Sequence, residues 1–202
     1  MNQANYNTQR VHLVNIVITV ILVFLICAPH VIEKGIAESR LYVMAGVAVL
    51  VVSVVAFLLP INNYPKGFLL SFIPSLVMII LFFVDGFTLG KHYIILLTIA
   101  MITLYFKKEL IIALGVFLDL AYLILYLFFP EKLMGANNNF FVVLFVMNAM
   151  VVLLYLLTQW GRQLIDDARQ KELEAKGLVD KLKSTFASME TAADLLDEHI
   201  TK

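Results

Sequence analysis

Six long apolar runs separated by short polar segments constrain this chain more than any other feature of its sequence. Each run is close to the about 20 apolar residues that a helix needs to cross a bilayer. Hydrophobic residues fill 61% of the 202 positions, and a chain this short cannot enclose that excess in a globular core. We therefore expect an all-α, polytopic membrane helix bundle. The runs cover residues 13–32, 41–59, 68–84, 93–106, 110–129 and 140–160.

The distribution of lysine and arginine near the run ends predicts the topology. Seven of these residues lie on one side of the predicted bundle and four on the other, and cytoplasmic loops carry the excess. We therefore expect both termini in the cytoplasm. The seven are Arg10, Lys66, Lys107, Lys108, Arg162, Arg169 and Lys171, and the four are Lys34, Arg40, Lys91 and Lys132.

The composition changes abruptly at Gly161, which divides a membrane bundle at residues 1–160 from a charged segment at residues 161–202. The charged segment fits a heptad repeat in which only Glu172 interrupts the apolar seam, so it predicts a cytoplasmic coiled-coil helix and a homodimer. An amphipathic helix lying on the membrane surface is the alternative. The predicted seam residues are Ile165, Ala168, Ala175, Val179, Leu182, Phe186, Met189, Ala193, Leu196 and Ile200.

Motifs of catalysis and cofactor binding do not occur in the sequence. It contains no nucleophile elbow, no zinc-protease helix and no phosphate-binding loop, and its formal net charge of zero gives no reason to expect nucleic acid. His30 and His92 are weak candidates for a metal site near Asp85, because two loop histidines on one side are an easy coincidence. We expect no enzyme activity, no cofactor and no metal.

Asp119 is the most informative polar residue, because it lies in the middle of the fifth run, where an aspartate is costly. Asn148 lies at a similar depth in the sixth run, and consecutive membrane helices are antiparallel. We therefore expect the two side chains to be able to meet, with Tyr122 nearby. The pair either joins two helices by a hydrogen bond or senses protons, ions or a small ligand.

The C-terminal stretch KLKSTFASMETAADLLDEHI, residues 181–200, following a multi-pass bundle, resembles bacterial methyl-accepting chemotaxis proteins with a six-helix membrane sensor. The resemblance implies a signal-input module in the bacterial inner membrane, truncated near the start of the signalling rod. It also implies a dimeric four-helix bundle whose distant tip binds a histidine kinase and an adaptor. The resemblance rests on layout and composition, because the tip of the rod is missing.

Other functions remain open from the sequence. Input domains of sensor histidine kinases and diguanylate cyclases have similar layouts, although His199 lacks the surroundings of a phosphate-accepting histidine. A small ion- or proton-coupled transporter or channel centred on Asp119 is a second class, and a scaffold that only dimerises is a third. Against a transporter, the spacing of the runs shows no inverted repeat.

Overall fold

The computed structural model describes residues 8–133 and 140–200, with side chains described as far as Ala193. Over these ranges the backbone is almost entirely helical and forms no strand. The helices are α1 (Thr8–Glu38), α2 (Arg40–Leu58), α3 (Asn63–Asp85), α4 (Leu89–Thr103), α5 (Lys108–Phe128), α6 (Pro130–Leu133) and α7 (Phe140–Ile200).

Each of the six apolar runs lies on one of the long helices, so the predicted all-α membrane bundle is confirmed. Helices α1, α2, α3 and α5 and the apolar part of α7 are long and apolar enough to cross a membrane. Helix α4 is also apolar but has only 15 residues. The chain is therefore a multi-pass membrane protein, and five of the helices described by the structure are long enough to cross a bilayer.

Breaks between helices occur where the backbone leaves helical geometry. Gly35 has a φ of 77° near the end of α1, and Gly86 has a φ of 74° directly after α3. A glycine adopts these positive φ angles without the clash that a Cβ would cause. Helix α1 thus consists of two helical segments that meet at Gly35, within the polar connection predicted between the first two apolar runs.

Small residues let α1 and α2 approach closely. A Cβ added at Gly46 would lie 2.7 Å from Val23 Cγ1 and 2.9 Å from Cys27 Sγ. Small residues at such contacts are the usual means of helix packing in membranes, where apolar surface alone gives no preference for protein over lipid. The residues that α2 buries recur every three or four positions, and they are Tyr42, Gly46, Val49, Ser53 and Ala56.

The interior of the bundle lies among α3, α4 and α5. Phe82, Ile95, Ile99, Leu114 and Leu118 have no exposed surface, and they belong to one apolar cluster. More than half of the apolar span of α3 is buried, against 17% for α7. Helix α3 is thus the most buried of the five apolar spans that the structure describes.

The chain divides into two units, the first ending at Gln159 and the second beginning at Trp160. Within the second unit the backbone is helical to Ile200. Nearly all of its described side chains are exposed. Its Lys176 and Glu172, one turn apart, form an ion pair at 2.6 Å on the surface of the helix.

Candidate functional site

The structure brings Asp119 and Asn148 together across α5 and α7. Asn148 Nδ2 donates to Asp119 Oδ1 at 3.0 Å and also to the Leu144 carbonyl of its own helix at 3.1 Å. Both side chains are half-buried. One turn away, a Cβ at Gly115 would lie 3.1 Å from Val151 Cγ1, so the two helices are in close contact beside the polar pair.

Tyr122 is placed one turn beyond Asp119 on α5, but it contacts a residue of another helix. Its hydroxyl lies 2.8 Å from Nδ1 of His92 on α4, and the side chain is almost fully buried. Helix α5 is therefore hydrogen-bonded to α7 through Asp119 and to α4 through Tyr122. The three candidate sensing residues form two separate contacts rather than one shared cluster.

The two weak metal candidates have different partners. His30 stacks on the ring of Tyr42, with 3.7 Å between ring centroids, and its Nδ1 lies 3.2 Å from the Ile26 carbonyl. His92 contacts Tyr122. In the part of the chain that the structure describes, histidine, cysteine, aspartate and glutamate nowhere form a group of three suited to a metal ion.

An ion pair between a buried lysine and an exposed aspartate, at one end of the bundle, was not predicted from the sequence. Lys91 is only 4% exposed, and its Nζ donates to Asp85 Oδ2 at 3.1 Å and to the Gly86 carbonyl at 2.8 Å. The Tyr42 hydroxyl donates to the same carboxylate oxygen.

We call the end formed by residues 32–40, 85–91 and 130–133 the ion-pair end. At this end the backbone N–H of Phe87 also donates to the Lys132 carbonyl, at 2.7 Å.

The sequence offered only a weak signal for this ion pair. Asp85 and Lys91 flank the short polar segment between the third and fourth apolar runs, and charged residues are common in such segments. Tyr42 lies 43 positions before Asp85, so only the packing of α2 against α3 brings it there. The six-residue spacing of Asp85 and Lys91 across Gly86 was the one local hint that the two side chains could meet.

A second polar cluster lies at the opposite end of the bundle. His12 Nδ1 lies 2.8 Å from the Tyr105 hydroxyl, to which Asn15 Nδ2 donates at 3.1 Å. All three side chains are buried. The Tyr105 ring also fills the space above Gly67, where a Cβ would lie 2.4 Å from the ring. We call the end formed by residues 8–12, 59–67 and 104–109 the basic end.

The predicted seam of the second unit exposes large apolar side chains. Val179, Leu182, Phe186 and Met189 are between 51% and 65% exposed. Ala168, Ala175 and Ala193 are also exposed, and Ile165 is half-buried. The side chains of Leu196 and Ile200 lie outside the described residues.

Comparisons with protein-family models, with curated proteins and with solved structures found no match.

Proposed function

We propose that this chain is the membrane-embedded signal-input module of a bacterial receptor. In this proposal the bundle senses a stimulus in or across the inner membrane, and α7 passes the change to a dimeric cytoplasmic coil. Both termini lie in the cytoplasm. If a full signalling domain follows in the native protein, its partners are a histidine kinase and an adaptor, as in the chemotaxis receptors that the sequence resembles.

The exposed apolar stripe on the second unit is the observation that carries this proposal. Four large apolar side chains at heptad positions are more than half exposed on a helix otherwise rich in charge. Contiguous exposed apolar surface marks an interaction site, and heptad spacing fits another helix of the same kind. A parallel second copy of this chain supplies that helix.

The Asp119–Asn148 hydrogen bond supports a role for the bundle in controlling α7. In apolar surroundings such a bond has few competing partners, so it favours one position of α7 beside α5. Protonation of Asp119, or a ligand that competes for Asn148, would change that preference. Tyr122 and His92 join α5 to α4 in the same way, which ties the position of α5 to the interior of the bundle.

Cysteine crosslinking in native membranes tests the proposal. Single cysteines replace Val179, Leu182 or Phe186 in a chain with Cys27 changed to serine, and matched controls replace Lys181 or Ser184, which lie off the seam. We expect strong dimer crosslinks at the seam and weak ones at the controls, and Phe186→Asp should abolish crosslinking at Leu182 without preventing membrane insertion. An equal pattern at all positions would contradict the coil and favour the transporter hypothesis centred on Asp119.

The same crosslinks measure whether the bundle controls the coil. Asp119→Asn keeps the size of the side chain but removes its charge and its capacity to titrate. We expect this change to alter the extent of crosslinking at Leu182, while Asp180→Asn, an exposed aspartate on the coil, leaves it unaltered. An unaltered extent in both variants would leave the Asp119–Asn148 pair as an interhelical bond with no sensing role.

A further inference from the structure

The two ends of the bundle differ in their balance of charge. The basic end carries Arg10, Lys66, Lys107 and Lys108 but only one carboxylate, that of Glu109. The ion-pair end carries four basic and four acidic residues. The seven residues that precede Thr8 add no aspartate or glutamate. One end of the bundle is therefore electrostatically neutral and the other has an excess of positive charge.

Lys66 is held in place at the basic end by a contact that leaves its charge uncompensated. Its Nζ donates to the carbonyl of Phe57, in the last turn of α2, at 2.9 Å, and lies 5.8 Å from the centre of the Phe57 ring. An ammonium group has three donors. Among the described residues Lys66 has no carboxylate partner, so donors remain for an external anion.

Lys107 is also oriented beside the first turn of α3, by an aromatic ring. Its Nζ lies 3.7 Å from the centre of the ring of Tyr64, which precedes Lys66 by two positions. A cation over an aromatic face is attracted without being neutralised. Both lysines are half-buried, so the fold fixes two uncompensated ammonium groups beside the start of α3.

The surroundings of the two lysines match the boundary between headgroups and acyl chains. Tyr64 is 38% exposed, as is common for aromatic rings at this level of a bilayer. Leu58 and Ile61, in the same connection between α2 and α3, are exposed apolar side chains. A ligand at this place meets cations and apolar surface side by side.

We propose that the basic end binds the headgroup of an anionic phospholipid, with Lys66 and Lys107 supplying the positive charge that attracts it and the acyl chains beside Leu58 and Ile61. Clusters of lysine and arginine next to membrane helices attract anionic lipids. The neighbouring apolar side chains favour a lipid over a soluble anion of the same charge. This binding site does not depend on the proposed signalling role.

A lipid titration of the purified full chain in detergent tests the site. The quantity measured is the concentration of phosphatidylglycerol that gives half of the maximal thermal stabilisation. We expect this concentration to rise about fivefold for Lys66→Gln and again for Lys107→Gln. Lys66→Arg, which keeps the charge, and Lys34→Gln, which removes an exposed lysine at the ion-pair end, should stay within twofold of the wild type.

Two results would overturn the proposal. Equal phosphatidylglycerol dependence in the wild type and in the Lys66→Gln, Lys107→Gln double variant would exclude these lysines. Stabilisation of the wild type by inorganic phosphate at the same concentration would assign the site to a soluble anion. Should the double variant not fold, native mass spectrometry of the wild type decides: retention of phosphatidylglycerol over phosphatidylcholine supports the site, and equal retention excludes it.

Discussion

The two ends of the bundle contain the same polar unit in opposite electrostatic settings. Each has a buried histidine whose Nδ1 lies 2.8 Å from a tyrosine hydroxyl, His12 with Tyr105 at the basic end and His92 with Tyr122 beside the ion-pair end. At the ion-pair end a lysine and an aspartate compensate each other. At the basic end the lysines contact a carbonyl and an aromatic ring instead.

This difference shows how one bundle can use charge for two purposes. An ion pair with one buried partner is costly to break, because the remaining charge loses its partner. It therefore holds α2, α3 and α4 together. Uncompensated lysines contribute little to the internal stability of the bundle, but they remain free to contact lipid. We expect substitutions at the ion-pair end to change stability and those at the basic end to change lipid dependence, unless they disturb the packing around Tyr105.

Lys91→Met is expected to have the largest effect on stability. The substitution keeps the apolar part of the side chain but leaves Asp85 with the Tyr42 hydroxyl and the weaker electrostatic attraction of Lys34. Removing one partner of a fully buried pair costs about 3–5 kcal/mol, and the 42% exposure of Asp85 reduces this to about 2–3 kcal/mol. Unfolding by SDS in mixed micelles measures the loss. The exposed Lys34, changed to Met, is the matched control, expected within about 0.5 kcal/mol of the wild type.

A variant of Lys91 as stable as the wild type would remove the contrast between the two ends. It would mean that water or lipid compensates the charge of Asp85 as well as Lys91 does.

Gly67→Ala should have the next largest effect, at the basic end. The added Cβ would lie 2.4 Å from the Tyr105 ring, and that ring cannot move without loosening its bonds to His12 and Asn15. Overpacking of this kind costs about 1–3 kcal/mol. Gly90→Ala at the ion-pair end is the control, because nothing lies within 4 Å of its Cβ position. The same unfolding assay should show no loss for Gly90→Ala, and equal losses would mean that backbone conformation, not the ring, decides.

The smallest expected effect is the difference in stability loss between two variants, one in each histidine–tyrosine pair. Tyr105→Phe removes a hydroxyl that contacts both His12 and Asn15, whereas Tyr122→Phe removes one that contacts His92. Leaving a buried polar group unpaired costs about 1–3 kcal/mol, so we expect about 1.5 kcal/mol for Tyr105 and about 1 kcal/mol for Tyr122. The difference between the two midpoints of unfolding is the measurement. A larger loss for Tyr122 would show that the basic end is the less tightly bonded of the two.

The helices could be predicted from the sequence because each apolar run is a local property. The proximity of Asp119 and Asn148 could be anticipated for a similar reason, since consecutive antiparallel helices bring equal depths together. The contacts of Tyr42 with Asp85 and of His12 with Tyr105 could not, because they join residues 43 and 93 positions apart. Their formation depends on which helices are neighbours, and the run pattern does not specify that.

The predicted coiled-coil segment differs from the bundle in how much its sequence can predict. The heptad positions from Val179 to Met189 were assigned from spacing alone, and their exposure agrees with any helix that lacks a partner. Sequence spacing fixes which side chains share a face, but it does not fix what covers that face. The sensing role of Asp119, Asn148 and Tyr122 likewise stays a prediction, because hydrogen bonds between helices also occur where they only stabilise packing.

The short length of α4 has a consequence for how the bundle meets membranes of different thickness. Its 15 residues span about 22 Å at 1.5 Å per residue, against about 30 Å of hydrocarbon. Helix α4 tolerates this mismatch because protein covers much of it, including Ile95, Ile99 and Ile102. A change in bilayer thickness therefore acts on the outer helices, such as α1 and α2, which tilt to match it. Helix α4 keeps its position while the outer helices tilt around it.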